Sequence, residues 1–422
     1  MIKVVWINGG IISEIPLRGT GTWTLPLAKG LIESGKVELY NISHWYGRTK
    51  ECNTVYGIKQ ILIPRFKRGD NLLNKYEPKR FRDIIEKILN EIKPDLVHIW
   101  GTETKLCTLQ ICGNIKYPCL IDIQGLFSSY YQYYYGDLTP REVLTSFFSI
   151  QTILLKKTSP YHSKMIYKKK GHLEIDVLNS YKHISVQSNW VKEQICAFVD
   201  TNKTTIHETG IALRREFLNS KQWEPHEHKE PIIYTSGASA NLPYKGLYTL
   251  LKALLIIKGT YPNVVLKLPG SNPLQTKLLS RNGYHNIIIR YIKKNQLEKN
   301  IMFLGQLEAK QIVEELRNAD IGVIPSYVET YCLAAAESMT VGLPTVISNS
   351  SALVELAKDG EEAVFYNPMD YKSLAYKIID LFRNKRKCEL LSKNGRMRHL
   401  VENDINRIVE NQINIYSEII KN

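Results

Sequence analysis

The stretch 320–347 constrains the fold of this chain more than any other. It begins with the short apolar run 320–325, rich in β-branched residues, which is typical of a buried parallel strand. A loop follows, and then the Ala-rich segment 333–340, which favours a helix. Gly342 and Pro344 end that helix before a second strand. Strand, loop, helix and strand in this order predict one unit of a doubly wound α/β sheet.

Two carboxylates, Glu329 and Glu337, stand on either side of the start of this helix. Glu329 is expected in the loop at the carboxyl end of the strand, and Glu337 about one turn into the helix. Open α/β sheets bind ligands at that edge. Backbone N–H groups at the helix start, around Tyr331, Cys332 and Leu333, favour an anion such as a diphosphate. Taken singly, either acid is equally compatible with a solvated surface charge.

The complete pattern of strand, Glu, seven residues, Glu and Gly-x-Pro resembles the signature of retaining glycosyltransferases of family 4, which have the two-domain GT-B fold. In that family the first Glu contacts the hydroxyls of the donor sugar and the second holds the nucleotide ribose. The resemblance assigns these roles to Glu329 and Glu337. Family 4 enzymes usually carry Pro-Phe-Gly after the first Glu, where this chain has Thr330, Tyr331 and Cys332. A different backbone approach to the sugar is therefore expected here.

A chain of 422 residues is longer than one core comfortably serves, so two domains are expected. We predict two Rossmann-like doubly wound α/β domains facing a cleft. Residues 1–215 are expected to form the acceptor-binding domain, and residues 228–395 the nucleotide-sugar domain. The resemblance also implies that the last segment, 396–422, is a helix that packs back on the first domain.

In the first domain, a glycine-bearing loop with Gly19 and Gly21 separates the first strand from the first helix. Glycines at this place allow a ligand to approach the backbone, although a flexible surface loop explains them as well. Glu103 and Gln124 follow two later strands, where they either face the ligand or cap their loops. Gln124 stands where many family 4 enzymes have a His near the reacting sugar. The resemblance implies that the departing diphosphate takes the acceptor proton, which leaves Gln124 a hydrogen-bonding role.

The second domain opens with a strand, a loop containing Gly237, and Lys245 at a helix start. A Lys beside free helix N–H groups is the chemistry of a phosphate clamp. This loop resembles the family 4 Arg…Lys-Gly loop that binds the donor diphosphate, with Lys245 matching the Lys and Ala238 replacing the Arg. Gly305 follows a later strand and resembles the position beside the nucleobase. A plain surface charge is the alternative for Lys245.

The formal net charge is +15, which favours an anionic partner. Seven of the basic residues fall within 141–170, against one acid, and the segment 127–135 just before is unusually aromatic. Aromatic rings with Lys suit an acidic membrane surface or a lipid-linked acceptor. Aromatic and basic residues interleaved in this way could equally stack nucleic acid. A helical subdomain with inward tyrosines and solvated lysines is the third explanation.

No two Asp residues are separated by a single residue, so the Asp-x-Asp metal motif of single-domain transferases is absent, and we expect no cofactor and no metal. Scattered cysteines without a C-x-x-C pair, no signal peptide and no long apolar window predict a cytoplasmic protein.

The expected partners are a nucleotide-sugar donor and a glycan or lipid-linked acceptor, and no nucleic acid. The alternatives are a non-catalytic protein that binds polyanions or membranes, and a nucleotide-sugar epimerase of the same fold.

Overall fold

The computed structural model describes residues 1–13, 24–65, 75–148, 150–153 and 158–421. Within these ranges the chain forms one sheet of eight strands and one of six, with helices between the strands. The strands are β1 (Ile2–Asn8), β2 (Val37–Trp45), β3 (Glu51–Val55), β4 (Ile58–Pro64), β5 (Leu96–Trp100), β6 (Cys119–Asp122), β7 (His183–Val186), β8 (Thr205–Glu208), β9 (Ile232–Tyr234), β10 (Val265–Leu268), β11 (Ile301–Phe303), β12 (Ile321–Ile324), β13 (Thr345–Ser348) and β14 (Val364–Tyr366).

α-Helices separate most of the consecutive strands, as is typical of a doubly wound fold. They are α1 (Thr24–Glu33), α2 (Lys79–Ile92), α3 (Phe127–Tyr133), α4 (Pro140–Phe147), α5 (Ile150–Ile153), α6 (Pro160–Leu178), α7 (Asn189–Cys196), α8 (Arg215–Leu218), α9 (Leu247–Thr260), α10 (Gly283–Lys294), α11 (Ala309–Arg317), α12 (Leu333–Val341), α13 (Tyr371–Arg383), α14 (Lys385–Glu402) and α15 (Ile405–Lys421). In the described part of the chain, none of these helices is long and apolar enough to span a bilayer.

The chain divides into two compact units, each built from more than one segment. Unit 1 comprises Met1–Ser128, Lys170–Arg214 and Asn403–Asn422, and unit 2 comprises Ser129–Lys169 and Arg215–Glu402. Each unit contains one of the two sheets. The predicted α/β class with two Rossmann-like sheets is therefore confirmed.

The sheet of unit 1 has the strand order β3-β4-β2-β1-β5-β6-β7-β8. All neighbouring strands are parallel except β3 and β4, which form an antiparallel hairpin at the edge. The chain reverses at Tyr56 and Gly57, both of which have a positive φ and so make a tight turn. Strand β5 is buried along its whole length, as expected for a central parallel strand.

The sheet of unit 2 has the order β11-β10-β9-β12-β13-β14 and is entirely parallel. Strands β12 and β13 are fully buried. Strand β9 lies directly beside β12, so the loops that leave the carboxyl ends of these two strands meet at one edge of the sheet. That edge is where ligands of open α/β sheets bind.

Residues 129–169 lie in unit 2, whereas the sequence analysis placed them in the N-terminal domain. Specific polar contacts attach this segment to α9 of unit 2. Lys252 Nζ donates to Asp137 Oδ2 at 2.8 Å, and the Tyr248 hydroxyl donates to Glu142. The partners are more than a hundred residues apart in sequence, so no local pattern could have indicated them.

The C-terminal region consists of two helices rather than the single one expected. Helix α14 belongs to unit 2 and α15 to unit 1. The break occurs where Asn403 Nδ2 donates to the backbone oxygen of Ile211 at 2.8 Å, and Asp404 then accepts a hydrogen bond from the backbone N–H of Arg407 in the first turn of α15. Asn and Asp favour such local bonds, which end one helix and begin the next.

Helix α15 is held on unit 1 by a buried hydrogen-bond network and by close packing. The Tyr416 hydroxyl accepts from Trp6 Nε1 at 3.0 Å and lies 2.8 Å from His98 Nδ1. Burial lowers the pKa of His98 to about 3, so its imidazole is neutral, and its Nδ1 shares a hydrogen bond with the Tyr416 hydroxyl. In α1, a Cβ at Gly30 would lie only 2.4 Å from Val409 Cγ2, so the absence of a side chain lets the two helices approach.

We expect Tyr416→Phe to lower the free energy of unfolding of unit 1 by about 1–3 kcal/mol, because the buried Trp6 N–H and His98 Nδ1 lose their partner. Tyr376→Phe is the control, since the Tyr376 side chain is 71% exposed. Chemical unfolding followed by tryptophan fluorescence measures both. Equal stability of the two variants would contradict the structural role of this hydroxyl.

Candidate active site

The segment that the sequence singled out folds as predicted into strand, loop, helix and strand. Strand β12 ends at Ile324, the loop carries Glu329, and α12 begins at Leu333. Glu337 lies at the start of the second turn of α12. Both Glu329 and Glu337 are only 5% exposed. Buried carboxylates are costly unless something pairs with them, so the surroundings of Glu329 are informative.

Lys245 is the partner of Glu329. Its Nζ donates to both carboxylate oxygens, at 2.7 Å to Oε1 and 2.9 Å to Oε2. The side chain of Glu329 is 7% exposed, and the side chain of Lys245 is 25% exposed. These hydrogen bonds bring two predicted site residues that are 84 positions apart into direct contact. The charge of the Lys245 ammonium is thus balanced by a carboxylate rather than standing unpaired.

The electrostatics of this pair are set by two opposing effects. Burial disfavours the charged form of Lys245, but the negative charge of Glu329 and the hydrogen bonds between them outweigh it, so the pKa of Lys245 is raised above its usual value. The ammonium is therefore charged throughout the neutral range.

The backbone around Lys245 can be built only with glycine at the next position. Lys245 ends the 3-10 helix Pro243–Lys245, and Gly246 has φ +72°. A Cβ on Gly246 would lie 2.0 Å from the backbone oxygen of Pro325, just after β12. This close approach holds Lys245 against the loop of Glu329. In this Lys-Gly pair, Lys245 provides the charge and Gly246 is required for steric reasons.

Cys332, immediately before α12, has φ +91° and ψ +81°. A residue with a side chain rarely adopts a positive φ, and such strain concentrates at functional loops. This is the position where the family signature has Gly. The chain therefore retains the glycine-like backbone at the helix start while carrying a buried side chain there. Tyr331 precedes it and is half-buried, as is Leu333 after it.

Other groups at the same sheet edge could take part in ligand binding. A Cβ on Gly237, in the loop after β9, would lie 3.1 Å from Ile324 Cδ1 at the end of β12. Gly305 follows β11, has φ +72°, and accepts a hydrogen bond from the backbone N–H of Gly270 at 2.6 Å. Within the described residues, the buried hydroxyls of Ser236 and Ser326 have no hydrogen-bond partner. Orphaned buried hydroxyls are uncommon and mark places where a ligand could bind.

Sequence analysis missed Ser351, whose hydroxyl accepts a hydrogen bond from the backbone N–H of Glu329 at 2.8 Å. This bond orients the loop that carries the carboxylate. Ser351 lies 22 residues beyond Glu329, after β13, and its φ is +46°. No motif in the sequence marks it, because only the parallel pairing of β12 with β13 brings its loop beside that of Glu329.

Gln124 lies in unit 1, two residues after β6. Glu103, after the neighbouring strand β5, is close to it, since a Cβ on Gly101 would lie 2.1 Å from Glu103 Oε2 and 3.2 Å from Gln124 Cδ. Burial, with the nearby charges of Glu174 and Asp122, raises the pKa of Glu103 to about 8. Gly19 and Gly21 lie outside the described residues.

Glu174, in α6, has a structural role that the sequence did not reveal. Its carboxylate accepts from the backbone N–H groups of Phe127 at 3.2 Å and Ser128 at 2.8 Å, at the start of α3, and from the Thr102 hydroxyl. Burial raises the pKa of Glu174, although these donors oppose the rise. The acid therefore caps α3 from within unit 1.

The second half of this chain resembles known glycosyltransferases in sequence. Residues 217–398 match the sequence family described as glycosyl transferases group 1. An uncharacterized glycosyltransferase, YqgM, of Bacillus subtilis is 28% identical over 181 residues, which are 43% of this chain and 48% of that protein. The capsular polysaccharide biosynthesis glycosyltransferase CapM of Staphylococcus aureus is 23% identical over 235 residues, 54% of this chain and 56% of CapM. The chain spans about half the length of the curated relatives it matches.

Solved structures extend the likeness over the full chain. Sucrose-phosphate synthase from Thermosynechococcus elongatus has a TM-score of 0.71 at 15% identity and covers 100% of both chains. Anabaena Alr3699/HepE, solved in complex with UDP-glucose, has a TM-score of 0.65 at 13% identity and covers 99% of this chain and 100% of its own. The fold is thus GT-B, and the resemblance to group 1 glycosyltransferases predicted from the sequence is confirmed.

The Lys245–Glu329 pair can be tested without any substrate. We expect Lys245→Met to lower the free energy of unfolding of unit 2 by about 3 kcal/mol, because it leaves the Glu329 carboxylate buried without a counter-charge. The double variant Lys245→Met/Glu329→Gln removes that charge too and should recover most of the loss. Chemical unfolding of the ligand-free chain measures both effects.

Lys385→Met provides the control within unit 2, since the Lys385–Glu227 pair has side chains 60% and 93% exposed and should contribute less than about 1 kcal/mol. A loss at Lys245 no larger than that at Lys385, or no recovery in the double variant, would contradict the buried pair.

Proposed function

We propose that this protein is a retaining glycosyltransferase, which transfers a sugar from a nucleotide-sugar donor to a hydroxyl of a glycan or lipid-linked acceptor in surface polysaccharide synthesis. The observation that carries the proposal is the contact between Lys245 and Glu329 at the carboxyl edge of a parallel sheet, with Glu337 in the helix that follows. The match of this region to group 1 glycosyl transferases and the GT-B fold support it.

Donor binding would exchange one anion for another at Lys245. The donor diphosphate offers more negative charge than one carboxylate, and the N-terminus of α12 adds favourable backbone N–H groups at Tyr331, Cys332 and Leu333. Once Lys245 turns to the diphosphate, the oxygens of Glu329 can accept hydrogen bonds from sugar hydroxyls. The binding energy of the nucleotide is thus used to place a carboxylate on the sugar.

The transfer step balances without an external reagent. The acceptor oxygen forms a bond to the anomeric carbon, and the bond from that carbon to the diphosphate oxygen breaks, with its electron pair leaving on the diphosphate. The acceptor proton passes to the departing diphosphate, and Lys245 stabilises the developing charge. In the proposal Glu337 holds the ribose and Gly305 adjoins the nucleobase, and Gln124 keeps the hydrogen-bonding role that the family resemblance gives it.

The proposal includes no resident metal ion. The sequence lacks the Asp-x-Asp pair with which single-domain transferases hold a divalent cation. The positive charge needed by the leaving group comes instead from the Lys245 ammonium and the N-terminal end of the α12 dipole.

We expect Lys245→Ala and Glu329→Ala each to reduce transfer, or donor hydrolysis in the absence of acceptor, by roughly 100-fold or more. Lys277→Ala and Glu298→Ala are matched controls, since both residues are exposed on unit 2 and should leave turnover unchanged. Product release measured with radiolabelled donor gives the rates. Undiminished turnover in both site variants would reject the transferase assignment. It would favour the alternative of a non-catalytic polyanion-binding protein, whose binding survives the loss of Glu329.

The acceptor side of the proposal rests on an exposed ridge of unit 2, which we call the apolar ridge. It consists of Leu144 and Phe148 at the end of α4 and Tyr161 at the start of α6, which are 57%, 61% and 44% exposed. Phe147 joins the two helices, because its ring lies 5.0 Å from that of Phe148 and 5.4 Å from that of Tyr161. Large apolar side chains so exposed and so close together are typical of interaction surfaces.

Cations surround the apolar ridge. Arg141 lies one turn before Leu144 on α4 and is exposed, and Lys168 and Lys169 are exposed two turns beyond Tyr161 on α6. Lys156 and Lys157, two of the seven basic residues within 141–170, lie outside the described residues. Aromatic and aliphatic side chains among lysines fit the interface of a membrane with acidic lipids. We therefore propose that unit 2 docks on an acidic cytoplasmic membrane face, where a lipid-linked acceptor is available.

We expect the full chain to sediment with vesicles containing phosphatidylglycerol and to remain free of vesicles made only of phosphatidylcholine. Leu144→Ser/Phe148→Ser should weaken binding at least tenfold, because two apolar side chains no longer enter the interface. Leu278→Ser/Leu279→Ser is the matched control, since both leucines are exposed, at 57% and 66%, but lie outside the ridge. Equal binding by the two double variants would contradict the membrane proposal.

A further inference from the structure

Four tyrosines of unit 2 form one cluster, although they come from distant parts of the sequence. Tyr130 lies in α3, Tyr134 just after it, Tyr167 in α6, and Tyr244 directly before Lys245. The Tyr244 ring is 5.3 Å from that of Tyr130, 5.7 Å from that of Tyr134 and 6.0 Å from that of Tyr167. The rings of Tyr134 and Tyr167 are 4.8 Å apart. The cluster therefore centres on the residue next to the site cation.

The tyrosine cluster reaches both loops of the Lys245–Glu329 pair. Lys245 Nζ lies 5.8 Å from the centroid of the Tyr244 ring. On the other loop, the Tyr130 hydroxyl donates to the Oγ1 of Thr330, the residue after Glu329, at 3.5 Å. The cluster thus borders the cation and the carboxylate at once, on the side formed by residues from before position 170.

Close backbone packing holds this segment in place. Gly136 has φ +56°, and a Cβ there would lie 3.0 Å from the backbone oxygen of Pro243 and 3.0 Å from Tyr327 Cε2. Pro243 begins the 3-10 helix of Lys245, and Tyr327 lies in the loop of Glu329. The segment after α3 therefore packs on the backbone of one loop and on a side chain of the other.

The chemistry of the cluster suits a sugar better than a phosphate. Burial raises the pKa of Tyr134 to about 12 and that of Tyr244 well above its usual value, so both hydroxyls stay protonated and neutral. The hydroxyls of Tyr167 and Tyr244 lie 3.5 Å apart. Neutral hydroxyls beside aromatic faces offer polar contacts and apolar surface together, which is what the alternating hydroxyl and C–H groups of a sugar ring require.

We propose that Tyr130 of α3 and Tyr167 of α6 form the sugar-facing wall of the donor site and recognise the sugar rather than the nucleotide. This inference rests on the proposed function. It assigns donor specificity to a segment that precedes the nucleotide-binding region in sequence, and to side chains outside the Glu-x7-Glu pattern.

The experiment compares two ligands that differ only by the sugar. Calorimetry with the full chain first tests UDP, GDP and ADP and their glucose and mannose conjugates, and the pair that binds is used thereafter. Tyr130→Phe and Tyr167→Phe each remove one hydroxyl and keep the ring, so the fold should be preserved, and the thermal midpoint checks this. Tyr133→Phe is the control, because Tyr133 lies on the same helix as Tyr130 but is 46% exposed.

We expect each Phe variant to bind the nucleoside diphosphate within twofold of the unaltered chain and the nucleotide sugar about five- to tenfold more weakly, since one hydrogen bond to the sugar is lost. The control should bind both ligands normally. Equal weakening for both ligands would overturn the inference, since the tyrosines would then only support the Lys245 loop. Unchanged affinity for both would overturn it as well. No binding of any nucleotide by the unaltered chain would overturn the proposed function itself.

Discussion

A buried carboxylate must have a counter-charge, and the organisation of unit 2 follows from how that requirement is met at Glu329. The carboxylate is enclosed at the end of β12, and the Lys245 ammonium from the neighbouring β9 loop satisfies both of its oxygens. Gly246 allows the backbone approach, Ser351 orients the loop, and the tyrosine cluster covers one side. A pair so placed keeps a cation and an acid together at the edge of the sheet where ligands of open α/β folds bind.

The sequence was sufficient to predict those features that depend on neighbours in the chain. Strand β12, the loop with Glu329, helix α12 and strand β13 follow from apolar runs, alanines and the Gly342–Pro344 stop. Since parallel strands present their carboxyl ends at one edge, the contact between Lys245 and Glu329 was also within reach of sequence reasoning. The two-sheet α/β class followed from repetition of the same pattern along the chain.

Features that depend on distant contacts were not predictable. Segment 129–169 reads as a continuation of the N-terminal half, and only its contacts with α9 and Tyr244 assign it to unit 2. The break before α15 needs Asn403 to meet Ile211, nearly two hundred residues away. The positive φ of Cys332 could not be predicted from the sequence, because a residue with a side chain disfavours the backbone conformation that this loop imposes. Hydrophobic pattern and residue propensity indicate local conformational preference, whereas tertiary contacts determine the conformation at each of these positions.

The division of the chain into interleaved segments has a consequence for how the protein is made. During synthesis, the early segments of each unit leave the ribosome well before the later segments against which they pack. Unit 1 cannot complete its packing until α15 has been translated and is available to Trp6 and His98. The residues around Tyr130 likewise wait for those around Tyr244 and Thr330. Nascent chains should therefore expose apolar surface until α15 has been made, and a chain cut before α15 should aggregate because unit 1 lacks part of its packing.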